Sequence, residues 1–328
     1  MKTLVSGGGG FLGFQVVKQL LERGDEVTVI GRNYYPRVAE LGAKSIAVDI
    51  CDYEQLAIHF KDIEEVFHVA AVADIWGTWD HFYNINYVGT KNVLKACLAS
   101  GVKRLIHTSS PSVVFDGTSQ SNLDESAPYA KKWLAHYPHS KMLAEKLVLS
   151  ANCERLQTVA LRPHLIWGPG DPHIFPRIIG KAKKGHLAVV GSGKNLVDII
   201  YVENAARAHV QASKALRETG IPAGKTYFLG QNEPVDLWKF VEQILQREGL
   251  APVKKKIPFS FAYSLGAFLE VIYRLLRIKS EPPMTRFMAC QLSQNHFYSH
   301  ANAQKDFGYS ADVSIEEGLD RIYGKRNF

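Results

Sequence analysis

Apolar residues along this chain follow two spacings that alternate from one segment to the next. A short continuous apolar run at residues 3–6 precedes a segment, 10–23, in which apolar residues recur every three or four positions. A second short run follows at 26–30. Short runs of this length are typical of buried strands, and the wider spacing is typical of helices. The first thirty residues therefore predict a strand, a helix and a second strand.

The same alternation continues for about half of the chain. Further strands are predicted at 45–48, 65–69 and 104–107, and further helices at 53–61, 84–100 and 140–151. Strands that alternate with helices at this spacing predict an α/β fold with a doubly wound parallel sheet, covered by helices on both faces.

Proline and glycine cluster between residues 163 and 176 and interrupt the alternation. We expect a dinucleotide-binding domain at 1–165, which receives a return segment at 196–213. A smaller substrate-binding lobe is expected at 166–195 and 214–328.

Composition narrows the class of protein. The 328 residues carry a formal net charge of +7, with no nucleic-acid motif among the lysines and arginines. The four cysteines are widely separated, which favours a reducing, cytoplasmic compartment and argues against a metal site. The apolar stretch 257–276 leaves four readings open: a membrane span, a core or lid helix, an acyl-chain pocket, or peripheral attachment to a membrane.

Four consecutive glycines lie between the first predicted strand and helix. The spacing GxxGxxG is typical of a loop that binds a dinucleotide pyrophosphate, at the positive end of the following helix. Its first glycine allows a tight turn, the second allows backbone approach to the phosphates, and the third allows close helix–strand packing. The two intervening glycines are interpreted as tolerated rather than required. The predicted cofactor contacts of this loop are Gly7, Gly10, Phe11, Leu12 and Gly13.

The end of the second strand distinguishes the two common nicotinamide dinucleotides. A carboxylate there would bind the ribose 2′-hydroxyl of NAD, but this strand ends Ile30-Gly31-Arg32-Asn33. The Arg32 guanidinium can pair with a 2′-phosphate. The sequence therefore favours NADP(H), with NAD as the alternative.

A ketone reductase without a metal needs a proton donor and a group that polarises the carbonyl. A tyrosine with a lysine one helical turn away can supply the proton. Tyr-x-x-x-Lys occurs twice, as Tyr87 to Lys91 and as Tyr137 to Lys141. Only the second pair follows the strand at 104–107, which leads to Ser110. We therefore expect Tyr137 as acid/base, Lys141 as its activator and ribose anchor, and Ser110 as the polariser.

These motifs together resemble the extended short-chain dehydrogenases/reductases, which have a Rossmann fold. GGGGFLG, HVAA, TSSPSVVFDG, YPHSK and LRPHLIWGPGD carry the resemblance, with NxxGTxN from Asn86. The resemblance implies cofactor contacts from the adenine end to the nicotinamide end at Asp49, Ile50, Ala70, Ala71, Asn86, Lys141 and Pro163.

Within that family the chain resembles the 3β-hydroxysteroid dehydrogenase branch. More narrowly, ADIWGTWDHF and DFGYSADVSIEEGL resemble the bacterial 2-alkyl-3-oxoalkanoate reductases of long-chain olefin biosynthesis. This resemblance implies NADPH-dependent reduction of the 3-keto group of a bulky hydrophobic 3-oxo acid. The alternatives are a 3β-hydroxysteroid or sterol-4α-carboxylate 3-dehydrogenase, a sugar-nucleotide epimerase or dehydratase, and a non-catalytic NADP-binding protein. A homodimer is left open.

Aromatic residues and histidines near the predicted strand ends are the candidates for substrate contact. Two tryptophans follow the fourth strand, one histidine precedes the predicted catalytic tyrosine, another follows Pro163, and a tyrosine lies in the return segment. These residues are Trp76, Trp79, His136, His164 and Tyr201.

Overall fold

The structure of the protein is a computed structural model that describes residues 1–324. The strands of the described chain are β1 (Lys2–Ser6), β2 (Glu26–Gly31), β3 (Lys44–Ala47), β4 (Glu65–His68), β5 (Arg104–Thr108), β6 (Gln120–Leu123), β7 (Gln157–Pro163), β8 (Ile166–Trp167), β9 (Val189–Val190), β10 (Leu196–Val197), β11 (Ile200–Tyr201), β12 (Thr226–Leu229), β13 (Val235–Asp236), β14 (Lys256–Ile257) and β15 (His296–Tyr298).

The helices of the same residues are α1 (Phe11–Glu22), α2 (Pro36–Glu40), α3 (Tyr53–Ala57), α4 (Trp79–Phe82), α5 (Gly89–Ser100), α6 (His136–Ser150), α7 (Ile174–Lys183), α8 (Val202–Glu218), α9 (Leu237–Arg247), α10 (Phe259–Leu275), α11 (Arg286–Gln291), α12 (Ala301–Phe307) and α13 (Ile315–Tyr323). A π-helical stretch, Tyr83–Val88, joins α4 to α5. Short 3₁₀ turns lie at Ile58–Phe60 and Pro111–Val113.

The main sheet has the order β3-β2-β1-β4-β5-β7-β12, and every pair in it is parallel. The strand order reverses between β1 and β4, which is where ligands bind in open α/β sheets, outside the carboxyl ends of the strands. The predicted doubly wound α/β fold is confirmed. Each strand predicted from the sequence appears within one residue of its expected ends.

The last strand of this sheet corrects the division that we expected. β12 pairs with β7 from Thr226 opposite Ala160 to Leu229 opposite Pro163, although 214–328 had been assigned to the second lobe. α12 packs on α8 and β12, so it also belongs to the main sheet unit. A strand of four residues is too short for its spacing to show which sheet it joins.

The remainder of the second lobe has its own sheet and core. Its sheet has the order β13-β10-β15-β6, so one strand from the first half of the chain joins it. Buried aromatic rings fill the space between α7, α9 and α13: Trp167, Phe175 and Phe240. The second lobe lies beside the carboxyl edge of the main sheet. β6 and β8 follow β5 and β7 in the chain and pair with β15 and β11, so they connect the main sheet to this lobe.

One buried carboxylate joins three elements at the opposite, amino edge of the sheet. Glu65 begins β4 and is fully buried. It accepts hydrogen bonds from Arg23 Nη2 at 3.0 Å, Arg104 Nε at 2.9 Å and Ser213 Oγ at 2.7 Å. The end of α1, the start of β5 and the return helix α8 therefore meet at one side chain.

We expect Glu65→Ala to lower the free energy of unfolding by about 3 kcal/mol, because two largely buried guanidinium groups lose their shared partner. Glu64→Ala is the matched control, since Glu64 is exposed and accepts one backbone hydrogen bond. Its expected loss is about 0.5 kcal/mol or less. Urea unfolding measures both values, and equal losses would contradict the assigned role.

Candidate active site

The glycine loop between β1 and α1 is packed too closely for side chains at its key positions. Gly7 has a φ of 75°, and a Cβ there would lie 2.7 Å from the backbone of Ala70. A Cβ on Gly13 would lie 2.1 Å from the carbonyl oxygen of Gly7. Within residues 1–324 no side chain caps the first turn of α1, whose N-cap is Gly10. The helix end can therefore offer its N–H groups to a phosphate, so the loop fits a dinucleotide pyrophosphate.

The two intervening glycines are also required, contrary to our interpretation. A Cβ on Gly8 would lie 2.7 Å from the Val29 side chain, and one on Gly9 would lie 2.2 Å from the ring of Tyr35. Neither contact could be read from the sequence, because Val29 and Tyr35 reach the loop only through the folding of β2 and its following turn.

The residues predicted for the adenosine end of the cofactor lie together at the carboxyl ends of β2 and β3. Arg32 and Asp49 are exposed there, and Ile50 packs against Gly89. The backbone N–H of Cys51 donates to Asp49 Oδ1 at 2.9 Å. Burial, with the nearby Asp49 carboxylate, raises the pKa of the Cys51 thiol to about 11, while the Arg32 guanidinium opposes this rise. The Arg32 charge therefore acts on the same small region as Asp49.

The segment after β4 is held by an amide side chain from the π-helical stretch. Asn86 Oδ1 accepts from the N–H of Val72 at 2.8 Å, and its Nδ2 donates to the Val72 carbonyl at 3.0 Å and to Ser140 Oγ at 2.9 Å. Asn86 thus aligns the loop that carries Ala70 and Ala71 with the start of α6. Its amide is therefore occupied by groups of the protein.

The three predicted catalytic residues come from the end of β5 and the first two turns of α6. The Ser110 hydroxyl is close enough to the Tyr137 phenol to lower its pKa. Ser112 donates to Ser110 Oγ from its N–H at 3.2 Å and from its hydroxyl at 2.9 Å. Burial raises the pKa of Tyr137, and the Ser110 hydroxyl only partly opposes it. The phenol therefore keeps its proton at neutral pH, as a proton donor must.

Lys141 lies one turn after Tyr137, and its ammonium group contacts the end of β5. Its Nζ donates to the Thr108 carbonyl at 2.6 Å and lies 3.5 Å from His107 Nε2. Burial lowers the pKa of the Lys141 ammonium to about 8, although Glu145 opposes the shift. We expected Lys141 to lower the pKa of Tyr137. The pKa of Tyr137 is nevertheless above its usual value, because the effect of burial exceeds that of the Ser110 hydroxyl.

A fully buried histidine connects the glycine-loop strand to the central helix. His68 Nδ1 lies 2.6 Å from Ser6 Oγ, and its Nε2 lies 2.8 Å from Thr90 Oγ1. The Thr90 hydroxyl donates to the Asn86 carbonyl at 2.6 Å, so His68 Nε2 carries the hydrogen and Nδ1 accepts from Ser6. Burial, helped by the Lys141 charge, lowers the pKa of His68 to about 3.

Two further buried histidines lie near the same ammonium group: His107 is beside it, and His209 contacts Thr108, whose carbonyl accepts from Lys141. His209 Nδ1 donates to the Ala205 carbonyl at 2.7 Å, so its Nε2 accepts from Thr108 Oγ1 at 2.8 Å. Burial lowers the pKa of His209 to about 4. Burial and the Lys141 charge hold the pKa of His107 well below its usual value. Lys141 is therefore a single buried cation among neutral imidazoles. Sequence reasoning missed this role, although HVAA and IHTSS place histidines at adjacent strand ends.

The aromatic candidates for substrate contact pack against the ends of α6 and α10. The Trp79 ring lies 5.7 Å from His136 and 4.7 Å from His139. Trp76 Nε1 donates to the Ile278 carbonyl at 3.4 Å, and Arg274 lies over the Trp76 ring at 5.6 Å. Burial lowers the pKa of His136, with smaller effects from Arg274 and His139. The loop after β4 therefore bridges the catalytic helix and the second lobe.

His164 follows Pro163, the last residue of β7, and is engaged within the protein. His296 Nε2 donates to the Gln291 carbonyl at 2.8 Å, so its Nδ1 accepts from His164 Nε2 at 2.6 Å. His164 Nδ1 is then the ring nitrogen that carries no hydrogen. Burial and the neighbouring histidines hold the pKa of His164 well below its usual value.

The expectation for Tyr201 is corrected by its burial. Tyr201 is fully buried, with its ring 5.2 Å from that of Trp167 and close against Gly318. The ring is part of the second lobe's core and offers no surface to a substrate.

An apolar cluster lies between the catalytic helix and the second lobe. Phe115 follows the strand-five serines, and its ring lies 6.1 Å from that of Phe287 on α11. Side chains from the loop after β4, the start of α6 and α10 complete the cluster: Ile75, Leu134, Ala135, Phe259 and Tyr263. Ala135 is two residues from Tyr137, so this cluster lies beside the start of the helix that carries the phenol.

The alternative tyrosine–lysine pair has a different environment. Tyr87 lies in the π-helical stretch, and its ring stacks on that of Tyr83 at 4.9 Å. The sheet, its glycine loop, the Ser110 hydroxyl after β5 and the Tyr137 phenol on α6 define the class of the protein as an extended short-chain dehydrogenase/reductase.

Comparison with known proteins gives the family. A model of the 3-beta hydroxysteroid dehydrogenase/isomerase family matches residues 4–260, and the chain belongs to that family. It is 44% identical to the 2-alkyl-3-oxoalkanoate reductase of Shewanella oneidensis strain MR-1, over 98% of this chain and 85% of that protein. It is also 44% identical to the enzyme of that name from Stenotrophomonas maltophilia strain K279a, over 98% of each. The mouse sterol-4-alpha-carboxylate 3-dehydrogenase, decarboxylating, is 36% identical over 98% of this chain and 89% of its own.

Solved structures agree on the fold. The crystal structure of gox2253 is 27% identical, with a TM-score of 0.78 over 98% of this chain and 97% of that one. A UDP-galactose 4-epimerase structure has a TM-score of 0.75 at 20% identity, over 99% and 98% of the two chains. The second likeness shows a shared architecture only.

The buried Lys141 ammonium predicts how stability depends on pH. The pKa of Lys141 is about 8 in the folded protein against 10.5 for a lysine exposed to water, so the unfolded chain binds this proton more tightly. The resulting destabilisation, about 3 kcal/mol, is present below pH 8 and disappears as the pH rises toward 10.5. Lys141→Met lacks this contribution, so its stability advantage over wild type should shrink by about that amount between pH 7 and pH 10.

Urea unfolding at the two pH values measures the difference. Lys146→Met is the control, because Lys146 is exposed on the same helix. A Lys141→Met difference as independent of pH as that of Lys146→Met would refute the burial argument.

Proposed function

We propose that this protein is an NADPH-dependent reductase of the 3-keto group of a bulky hydrophobic 3-oxo acid, converting a 2-alkyl-3-oxoalkanoate to the 2-alkyl-3-hydroxyalkanoate. The adjacent hydroxyls of Ser110 and Tyr137, one helical turn from the Lys141 ammonium, carry the proposal. The choice of substrate is supported by two bacterial relatives that are named for this activity.

The chemistry follows from the protonation states of these groups. A bound reduced nicotinamide supplies the hydride that converts the 3-keto carbon to an alcohol carbon. Ser110 donates a hydrogen bond to the carbonyl oxygen, and Tyr137 transfers its proton to that oxygen as negative charge develops there. In this proposal the Lys141 ammonium, one helical turn from Tyr137, favours the negative charge left on the phenol and so opposes the effect of burial on its pKa.

The choice of NADPH is supported by the end of β2. Arg32 is exposed there, and its charge influences the Cys51 thiol beyond β3. A guanidinium in this position suits the 2′-phosphate of NADP, whereas a carboxylate would suit the 2′-hydroxyl of NAD.

Oxidation of a sterol 3-hydroxyl is the second candidate, because the mouse sterol-4-alpha-carboxylate 3-dehydrogenase is 36% identical over nearly the whole chain. The apolar cluster around Phe115 and Phe287 is compatible with either hydrophobic substrate. Initial rates with 2-alkyl-3-oxo acids, sterol ketones and sterol alcohols, each with both dinucleotides, separate the candidates. Turnover of sterols alone would overturn the proposed substrate.

Tyr137→Phe should lower kcat by about 10²- to 10⁴-fold, because the proton donor is lost. The Kd for NADPH should change by less than about threefold, since the phenol is not needed to hold the dinucleotide. Rates come from the loss of reduced-nicotinamide absorbance, and binding comes from titration calorimetry.

Tyr87→Phe is the matched control for this substitution. It alters the other Tyr-x-x-x-Lys sequence and should leave kcat within about twofold of wild type. Wild-type turnover by Tyr137→Phe, or an equal loss in Tyr87→Phe, would refute the assignment.

We also propose that α10 attaches the protein peripherally to an acidic membrane surface. The residues that α10 buries are small or polar, namely Ala262, Gly266 and Glu270. Large apolar side chains on α10 and at its end are exposed instead: Phe261, Phe268, Val271, Leu275 and Leu276. Arg274, Arg277 and Lys279 lie exposed beside them. No helix within residues 1–324 is long and apolar enough to cross a membrane.

Sedimentation with lipid vesicles tests the attachment. Wild type should bind vesicles that contain anionic lipid more tightly than neutral vesicles, and added salt should weaken the binding. Phe268→Asp with Leu275→Asp should weaken it at least about tenfold, because two apolar side chains no longer enter the lipid. Ile58→Asp is the control, since Ile58 is an exposed apolar residue in the 3₁₀ turn Ile58–Phe60, away from α10 in the sequence. Equal binding by all three proteins would overturn the proposal.

A further inference from the structure

The ring of Tyr35 lies directly against two glycines at the predicted cofactor site. A Cβ on Gly9 would lie 2.2 Å from the ring carbons, and a Cβ on Gly31 would lie 2.7 Å from the ring and 2.8 Å from the phenolic oxygen. A real side chain at either position would have to displace the ring. The two glycines therefore create the space that Tyr35 fills.

Backbone conformation does not explain these glycines. Gly7 has a φ of 75°, in the region that favours glycine, whereas the φ values of Gly9 and Gly31 lie outside that region. An alanine at Gly9 would therefore be allowed by the backbone and excluded by Tyr35. The requirement at Gly9 depends on one identified side chain, which makes it testable.

Tyr35 is fixed in this place by its own backbone. Its N–H donates to Ser45 Oγ at 2.9 Å, and its carbonyl accepts from the N–H groups of Val38 and Ala39 as α2 begins. Its ring also packs on the core beneath α1. The phenol is therefore held between β2, β3 and α2.

The two glycines mark opposite sides of the adenosine subsite. Gly9 belongs to the loop that approaches the pyrophosphate, and Gly31 ends β2, where this fold reads the ribose 2′-position. Arg32 follows Gly31 directly and is exposed. A side chain that contacts both glycines must lie where the adenosine ribose enters.

We propose that Tyr35 is a specificity-determining residue for the adenosine half of the dinucleotide. Its ring forms a wall of the ribose subsite, and its hydroxyl donates a hydrogen bond to the 2′-phosphate that Arg32 pairs with. This role rests on the proposed use of NADPH. It adds the Tyr35 hydroxyl to Arg32 as a second group that binds the 2′-phosphate.

Binding of nucleotide fragments tests the hydroxyl without requiring turnover. Tyr35→Phe should raise the Kd of 2′,5′-ADP about tenfold, as expected for one lost hydrogen bond to a charged group. The Kd of 5′-AMP should change by less than about twofold, because AMP has no 2′-phosphate. Tyr34→Phe is the matched control, since Tyr34 is the exposed neighbour. Titration calorimetry gives both constants.

The contact between Gly9 and the ring is tested by a double-mutant cycle. Gly9→Ala should displace the ring and weaken both nucleotides about as much as Tyr35→Ala does. In the Tyr35→Ala background, Gly9→Ala should add less than about twofold, because nothing is left to displace. Thermal melting of each variant shows that the protein is folded.

The outcomes separate this inference from the proposed function. A wild-type protein that binds neither nucleotide overturns both. Tight binding of 2′,5′-ADP by wild type, with Tyr35→Phe no weaker than Tyr34→Phe, overturns only the role of the hydroxyl. Additive effects of Gly9→Ala and Tyr35→Ala overturn the contact on which the ring's role depends.

Discussion

The burial of one ammonium group governs the polar interior of this protein. A charge removed from water needs partners, and Lys141 has the Thr108 carbonyl and the nearby ring of His107. His68 and His209 can lie in the same interior because each ring is neutral and each nitrogen has a defined partner. The carboxyl ends of β1, β4 and β5 are thus joined to α5, α6 and α8. The buried side chains of Lys141, His68 and His209 therefore also connect the strand ends to these helices.

Space, rather than backbone freedom, explains much of the glycine loop. Gly7 needs glycine for its conformation, but Gly9 and Gly13 need it because other atoms occupy the place of a side chain. The spacing GxxGxxG indicates Gly7 and Gly13 from sequence, since the positive φ of Gly7 and the contact of Gly13 with Gly7 both arise within one strand–helix unit. The requirement at Gly9 comes from Tyr35, which lies beyond β2, so a local motif could not reveal it. The loop and the segment after β2 therefore contact each other through Tyr35.

The predictability of each feature follows from the range of the interactions behind it. The first five strands of the sheet and the placing of Tyr137 and Lys141 on one helix could be predicted, because periodicity and helical spacing are local properties. β12 could not, since Thr226–Leu229 joins β7 only after the chain has passed through the second lobe. Burial decided two further features: it encloses Tyr201, which we expected at the substrate, and it raises the Tyr137 pKa. Neither degree of burial is visible in the order of residues.

α10 shows why the apolar stretch 257–276 was ambiguous. An ordinary surface helix buries its large apolar residues, whereas α10 places Gly266 against the backbone of Thr285 and buries Glu270. Glu270 accepts from the N–H of Arg286 at 2.7 Å and from its guanidinium at 2.7 and 2.9 Å. This arrangement anchors α10 through small and charged groups and turns its large side chains outward. Phe259 and Tyr263, at the start of the same helix, reach the apolar cluster near the catalytic phenol. The first turns of α10 therefore pack on residues next to Tyr137, whereas its later turns expose their large apolar side chains.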